Sequence, residues 1–184
     1  MTHVLGLDIS TSCTGYSVFD SDGCLIKLGY IRLDSKQSIF SRVTEVSKSI
    51  IELGDDFNIN RIFIEENLQA FRPGLSSAKT LLTLARFNGM VSYQAYKILK
   101  IHPDYVNVNT ARKLVGLKIN RKSETTTKDQ VYEWVENDLR LSNTKVTWPF
   151  KILKSGPRKG MEILDTAAYD MSDAYVICKA GMSL

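Results

Sequence analysis

The chain reads as an α/β protein: a mixed five-stranded sheet, three antiparallel strands followed by parallel ones, flanked by helices. Three observations predict it. Short β-rich runs near the start are separated by turn signals, which is the pattern of an antiparallel meander. After them, stretches with the 3.6-residue apolar period of a helix alternate with further short β-rich runs, the order that lays strands parallel. The chain then closes in helical sequence. At 184 residues it is long enough for one full core, and we expect a single domain over 1–184 with basic loops near 116–128 and 142–160.

Val4 to Ser10 is the first strand, with Leu5, Leu7 and Ile9 on one face and Val4, Gly6, Asp8 and Ser10 on the other. Thr14–Phe19 and Leu25–Leu33 complete the meander, joined by the turn-forming Asp20-Ser21-Asp22-Gly23. Ser38–Leu53 repeats apolar residues at Phe40, Val43, Val46, Ile50 and Leu53, as an amphipathic helix does. Arg61–Glu66 is a fourth strand ending in two acids. Beyond Arg72-Pro73-Gly74, Ser76 and Ser77 can cap a long helix running to Leu99. Tyr105–Val108 is a short fifth strand and Thr110–Val115 a helical turn. Lys118–Lys128 has no apolar period and reads as a loop, Asp129–Leu139 as a helix, and Ser142–Gly160 as an irregular excursion. Asp165–Ala180 closes the chain as a helix with Asp165 as its N-cap.

Bulk properties exclude several classes. With 43% hydrophobic and 24% charged residues the composition is globular. No apolar run approaches the ~20 residues that span a bilayer, and there is no signal-peptide layout, so we expect a cytoplasmic protein with no membrane partner. Cys13, Cys24 and Cys178 are odd in number and lack CxxC spacing, which favours a reducing compartment and disfavours zinc. Neither His3 nor His102 has a partner spaced for a metal. The net charge is only +4, but Ala111–Gly160 carries 12 Lys/Arg against 5 Asp/Glu, leaving the rest of the chain at −3. A basic segment on an acidic remainder suits a protein that meets a polyanion on one side, and a solvated surface gives the same asymmetry.

Carboxylates stand in three places where a core would not hold them unaided. Asp8 interrupts an apolar strand and needs a cation or donors to replace lost hydration. Glu65 and Glu66 follow Ile62-Phe63-Ile64, and strand alternation does not choose between them. Asp170 and Asp173, three apart, share one helical face with Ala167, Ala174 and Ile177. Two inward aspartates repel unless something positive lies between them, and a hard dication such as Mg²⁺ is the economical answer.

These pieces in this order resemble the RuvC-like Holliday-junction resolvases of the ribonuclease H-like superfamily. The matching stretches are Leu5-Gly6-Leu7-Asp8-Ile9-Ser10 with Thr14-Gly15-Tyr16-Ser17-Val18, then Ile64-Glu65-Glu66, and Asp170-x-x-Asp173-Ala174. Ala78–Ala95 resembles the family's long central helix, and Ala111-Arg112 and Lys128-Asp129-Gln130-Val131 its later stretches. The resemblance implies a ribonuclease H-like fold and a crossover junction endodeoxyribonuclease in which Asp8, Glu65, Asp170 and Asp173 bind two Mg²⁺, with Mn²⁺ able to substitute. Glu65 is preferred because the family's Ile-Glu pair falls on Ile64-Glu65. Lys128 matches a basic residue that approaches the scissile phosphate, and Phe71 resembles an aromatic that stacks at the junction centre.

A homodimer is implied as well, because two symmetric cuts need two sites. Leu81, Leu84, Phe87, Met90 and Val91 on the long helix are its candidate interface or simply core. Arg72, Lys118, Arg121 and Lys122 are the expected phosphate contacts, with Lys151, Lys154, Arg158 and Lys159 behind them. Trp148 is read either as a base-stacking residue or as loop packing. Three rivals remain at this level. One is a ribonuclease H-like nuclease acting on flaps, forks or RNA. Another is a non-catalytic junction-binding protein. The third is a sugar-kinase or actin-like ATPase, whose first strand has a similar Gly-x-Asp-x-(Ser/Thr) pattern but which uses two such domains where this chain supplies one.

Overall fold

Glycines and small polar residues on one face of the first two strands decide the architecture, because they let a nearly all-buried helix lie directly on the sheet. The computed structural model describes residues 1–66 and 78–184. Strands β1 (His3–Ile9), β2 (Cys13–Asp20) and β3 (Leu25–Arg32) form the expected antiparallel meander. Helix α1 (Ile39–Asp56), capped by Ser38 whose hydroxyl accepts the Ser41 amide, leads to β4 (Ile59–Glu65), which pairs parallel to β1. Helix α2 (Ala78–Leu99) leads to β5 (Asp104–Val106), parallel to β4. The sheet order is β3-β2-β1-β4-β5. Then come α3 (Val108–Leu114), α4 (Thr127–Leu141), β6 (Phe150–Ile152), β7 (Glu162–Leu164) and α5 (Ala167–Gly181).

The sheet separates two apolar layers. Leu5, Leu7 and Ile9 of β1 and Ile62 and Ile64 of β4 face α1 and α2, against Val46, Ile50, Phe87 and Val91. Val4 and Phe63 face the other way, toward α5 and α4, with Val135, Tyr175 and Ile177. On that second face a Cβ on Gly6 would stand 2.4 Å from the Cys178 Cβ, and one on Gly15 only 2.0 Å from the Asp170 carbonyl oxygen. Ser17, wholly buried beside them, donates its hydroxyl to the Ala174 carbonyl at 2.9 Å. Helix α5 is buried on nearly its whole circumference, sandwiched between the sheet and α3 and α4. The expected inward stripe of Ala167, Asp170, Asp173, Ala174 and Ile177 therefore belongs to a helix with little outward face.

Three expectations need correction. The segment 142–160 is not wholly irregular: β6 pairs antiparallel with β7 as a separate two-stranded hairpin. The fifth strand is shorter and α3 starts earlier than expected, because the Asn107 side chain caps α3 by accepting the Asn109 amide. The closing helix starts at Ala167, with Thr166 in the cap position making no side-chain cap bond; the Asp165 carboxylate instead accepts the Ala167 amide at 2.9 Å. The expected caps Ser76 and Ser77 lie outside the described residues.

Candidate metal centre

Strand alternation brings the first two acids together. Asp8 shares the β1 face of Val4 and Gly6, and Glu65 the β4 face of Phe63, so both point toward α5. Leu7 is paired with Ile64, which sets Asp8 and Glu65 side by side at the carboxyl ends of two parallel strands. Both Glu65 and Glu66 line the cleft, and Glu65 is the one whose carboxylate joins the cluster with Asp8 and Asp173. Glu66 lies past the strand end, where its carboxylate accepts from the Asn107 amide nitrogen at 3.3 Å.

Helix α5 supplies the other two acids. It sits low enough because Gly15, the register partner of Asp8, has no side chain beneath the Asp170 backbone. Carboxylate oxygens of Asp8, Glu65 and Asp173 all lie within 4.8 Å of one another, and each residue is partly buried. Asp170, one turn earlier on α5, lines the same open cleft of ≈ 620 Å³ together with Lys128, Arg112 and Asn88.

Such a cluster is costly without a cation, and its protonation shows it. Burial, reinforced by Glu65, Asp173 and Asp170, holds the Asp8 carboxyl well above the usual range. Burial and then Asp173 push Glu65 up to about 7, against the pull of Arg112 and Lys128. Asp173 is raised by burial although Arg112 opposes it, and Asp170 is raised by burial although the Cys13 thiol donates to it. An all-oxygen set of converging carboxylates fits a hard divalent cation, which would take the place of the protons.

The cations around the cluster are arranged unequally. Lys128 stands in the first turn of α4, whose start is fixed by a reciprocal capping box between Thr126 and Asp129. Asp129 also accepts the Tyr169 hydroxyl at 2.6 Å, and the Lys128 ammonium lies 5.8 Å from the Tyr169 ring. Tyr169 directly precedes Asp170, so the Lys128 end of α4 and the acid turn of α5 are tied together. Arg112 of α3 is the residue that sequence reasoning passed over as a site candidate. Its guanidinium is 3.5 Å from Asp173, and its Nε is buried with no hydrogen-bond partner among the described residues.

The remaining sequence-based candidates are scattered. Lys118, Arg121 and Lys122 are exposed on the loop joining α3 to α4 and do not line the acid cleft. Phe71 and Arg72 lie outside the described residues. Trp148 packs on Tyr132 with ring centroids 4.9 Å apart and donates its indole N–H to Glu136, which makes it loop packing. On α2, Phe87 and Val91 are core residues and Met90 packs partly against them. Among the described residues no helix is long and apolar enough to cross a membrane.

The mixed sheet, its strand order and the helices on both faces define a ribonuclease H-like α/β fold. No protein-family model matches the chain, and no curated protein matches it in sequence. Among solved structures it is similar to Thermus thermophilus RuvC in complex with a Holliday junction substrate, with a TM-score of 0.64 and 15% identity over 98% of this chain and 92% of that one. A second structure of Thermus thermophilus RuvC gives 0.61 and 15% over 97% and 92%. The yeast mitochondrial Holliday junction resolvase Ydc2 gives 0.53 and 15% over 98% and 78%. At these identities the likeness is one of fold.

Proposed function

We propose that this chain is a structure-selective endodeoxyribonuclease that resolves Holliday junctions by paired, metal-dependent phosphodiester hydrolysis. The observation that carries the reading is the meeting of Asp8, Glu65 and Asp173 within 4.8 Å, in a cleft that Asp170 also lines. The fold shared with Holliday junction resolvases supports the substrate class.

In this reading Asp8, Glu65, Asp170 and Asp173 hold two Mg²⁺, for which Mn²⁺ can substitute. When bound, such a pair supplies an activated water and steadies the leaving oxygen of an in-line displacement. The carboxylates give up their protons to hold the ions, which the raised pKa values make a pH-dependent event. Lys128, at the cleft edge, directs its ammonium at the scissile phosphate. Lys118, Arg121 and Lys122, with Arg72, take backbone phosphates, and Phe71 stacks at the junction centre. A homodimer places one such site on each of two symmetry-related strands, and the whole chain acts as one intracellular, DNA-associated domain.

The test is cleavage of matched four-way, forked and linear DNA with Mg²⁺ or with EDTA. Paired symmetric nicks confined to the four-way junction, and abolished by EDTA, are expected. Cutting of flaps, forks or RNA in preference would replace this reading with that of a related nuclease, and junction binding without cutting would leave a binding protein.

A further inference from the structure

The β6–β7 hairpin is built, anchored and oddly surfaced. Over the hairpin, Phe150–Leu164, there are four cations, Lys151, Lys154, Arg158 and Lys159, against one acid, Glu162. Lys154, Arg158 and Lys159 are exposed, and none has an ion pair among the described residues. Phe150, Ile152 and Met161 are exposed beside them, at 56%, 64% and 51%. Both faces of β6 are open, so the ribbon projects from the body rather than covering it. Its tip is nonetheless ordered by backbone bonds, Leu153 N–H to the Met161 carbonyl at 3.0 Å and Gly160 N–H to the Leu153 carbonyl at 2.8 Å. Gly156 and Gly160 supply the left-handed φ angles of +82° and +87° that the turns need.

Its base is tied to the acid centre. The Asp165 amide donates to the Pro149 carbonyl at 2.9 Å. The buried Asp165 carboxylate receives Arg32 at 2.7 Å and lies 4.0 Å from Lys151. Arg32 ends β3 opposite Cys13, the same end of the sheet at which Asp8 and Glu65 emerge. Strand β3 is one sheet edge, and the Lys118–Lys122 loop leads from α3 into α4. The two basic excursions leave the body at different places, the hairpin where Asp165 meets Arg32 of β3 and the loop where Asn120 exchanges hydrogen bonds with Gln130 of α4.

We propose that the hairpin holds a second duplex arm of the branched DNA through its phosphates, while the Lys118–Lys122 loop holds the first. The inference rests on the nuclease reading for its substrate. Charge decides the occupant: a projecting ribbon whose one acid, Glu162, stands against four cations, three of them without an ion pair among the described residues, matches a polyanion, and a two-stranded ribbon is narrow enough for a DNA groove.

The experiment compares wild type, the triple variant Lys154→Ala/Arg158→Ala/Lys159→Ala and the triple variant Lys118→Ala/Arg121→Ala/Lys122→Ala. Fluorescence anisotropy reads binding to a four-way junction and to a linear duplex of one arm, in EDTA, over a range of salt. The hairpin variant is expected to keep its melting temperature and to lose about tenfold or more in junction affinity. Its salt slope should become shallower by ~0.9 per lost phosphate contact. Its affinity for the linear duplex should change less than that for the junction, since one duplex can stay on the loop. Unchanged junction affinity and slope, or equal losses on junction and linear duplex, would overturn the hairpin's role while leaving the loop variant to report on DNA binding. Failure of wild type to bind the junction would overturn the nuclease reading as well.

Discussion

The Arg112 guanidinium stands 3.5 Å from the Asp173 carboxylate, with both side chains largely shielded from solvent. It is the resident counter-charge of a carboxylate cluster whose oxygens lie close enough together to hold a metal ion. Changing Arg112 to Gln should destabilise the metal-free protein by about 2 kcal/mol, because a shielded carboxylate loses its partner. For a chain of this size that is a fall of roughly 4–8 °C in melting temperature. Saturating Mg²⁺ should restore part of the loss by supplying the missing charge. Melting curves in EDTA and in Mg²⁺ measure both; an equal loss in the two conditions would make Arg112 a packing residue only.

Gly15 governs how low α5 can sit. An added Cβ would meet the Asp170 carbonyl oxygen at 2.0 Å and its carbon at 2.3 Å, both backbone atoms that cannot rotate away. Gly15→Ala should therefore cost about 3 kcal/mol and move Asp170 and Asp173 out of register with Asp8. Gly89, exposed in α2 with nothing within 4 Å of its would-be Cβ, is the control. There Ala should stabilise by ~0.5–1 kcal/mol. Chemical denaturation of both variants tests the contrast.

The acid cluster fixes the sign of a pH dependence. Glu65 is raised from 4.5 to about 7 by burial and then Asp173, and Asp8, Asp170 and Asp173 are raised in the same direction. Such groups hold more protons folded than unfolded. The Glu65 contribution in the metal-free protein is complete below pH 4.5 and is lost as pH rises through about 7, and the three aspartates act in the same direction. Bound dications need the ionised form, so the Mg²⁺-induced rise in melting temperature should grow across that window. A rise independent of pH would place the ions elsewhere.

Much of the frame was legible because its signals are local. Asp8 stands out in an apolar strand, and Asp170 and Asp173 announce a shared face by their spacing. The meander follows from Asp20-Ser21-Asp22-Gly23 between β-rich runs. What escaped depends on distant packing. Arg112, on a seven-residue helix, has no local mark of its role, which arises only where α3 meets α5. Cys13 likewise comes to lie near Asp170 only because Gly15 admits the helix. The β6–β7 hairpin hides because its strands are three residues each and bury almost nothing, so no alternation betrays them.

Asp8 stands in the carboxylate cluster on which the proposed metal-dependent cutting of branched DNA depends. Substituting Asn for Asp8 keeps shape and removes one charge. The decisive measurement is junction binding and Mg²⁺-dependent junction cleavage by wild type and Asp8→Asn side by side. The variant should bind the four-way junction as wild type does and cut it at least about a hundredfold more slowly, the scale of losing electrostatic stabilisation at a reacting centre. Cleavage by Asp8→Asn at the wild-type rate would contradict it.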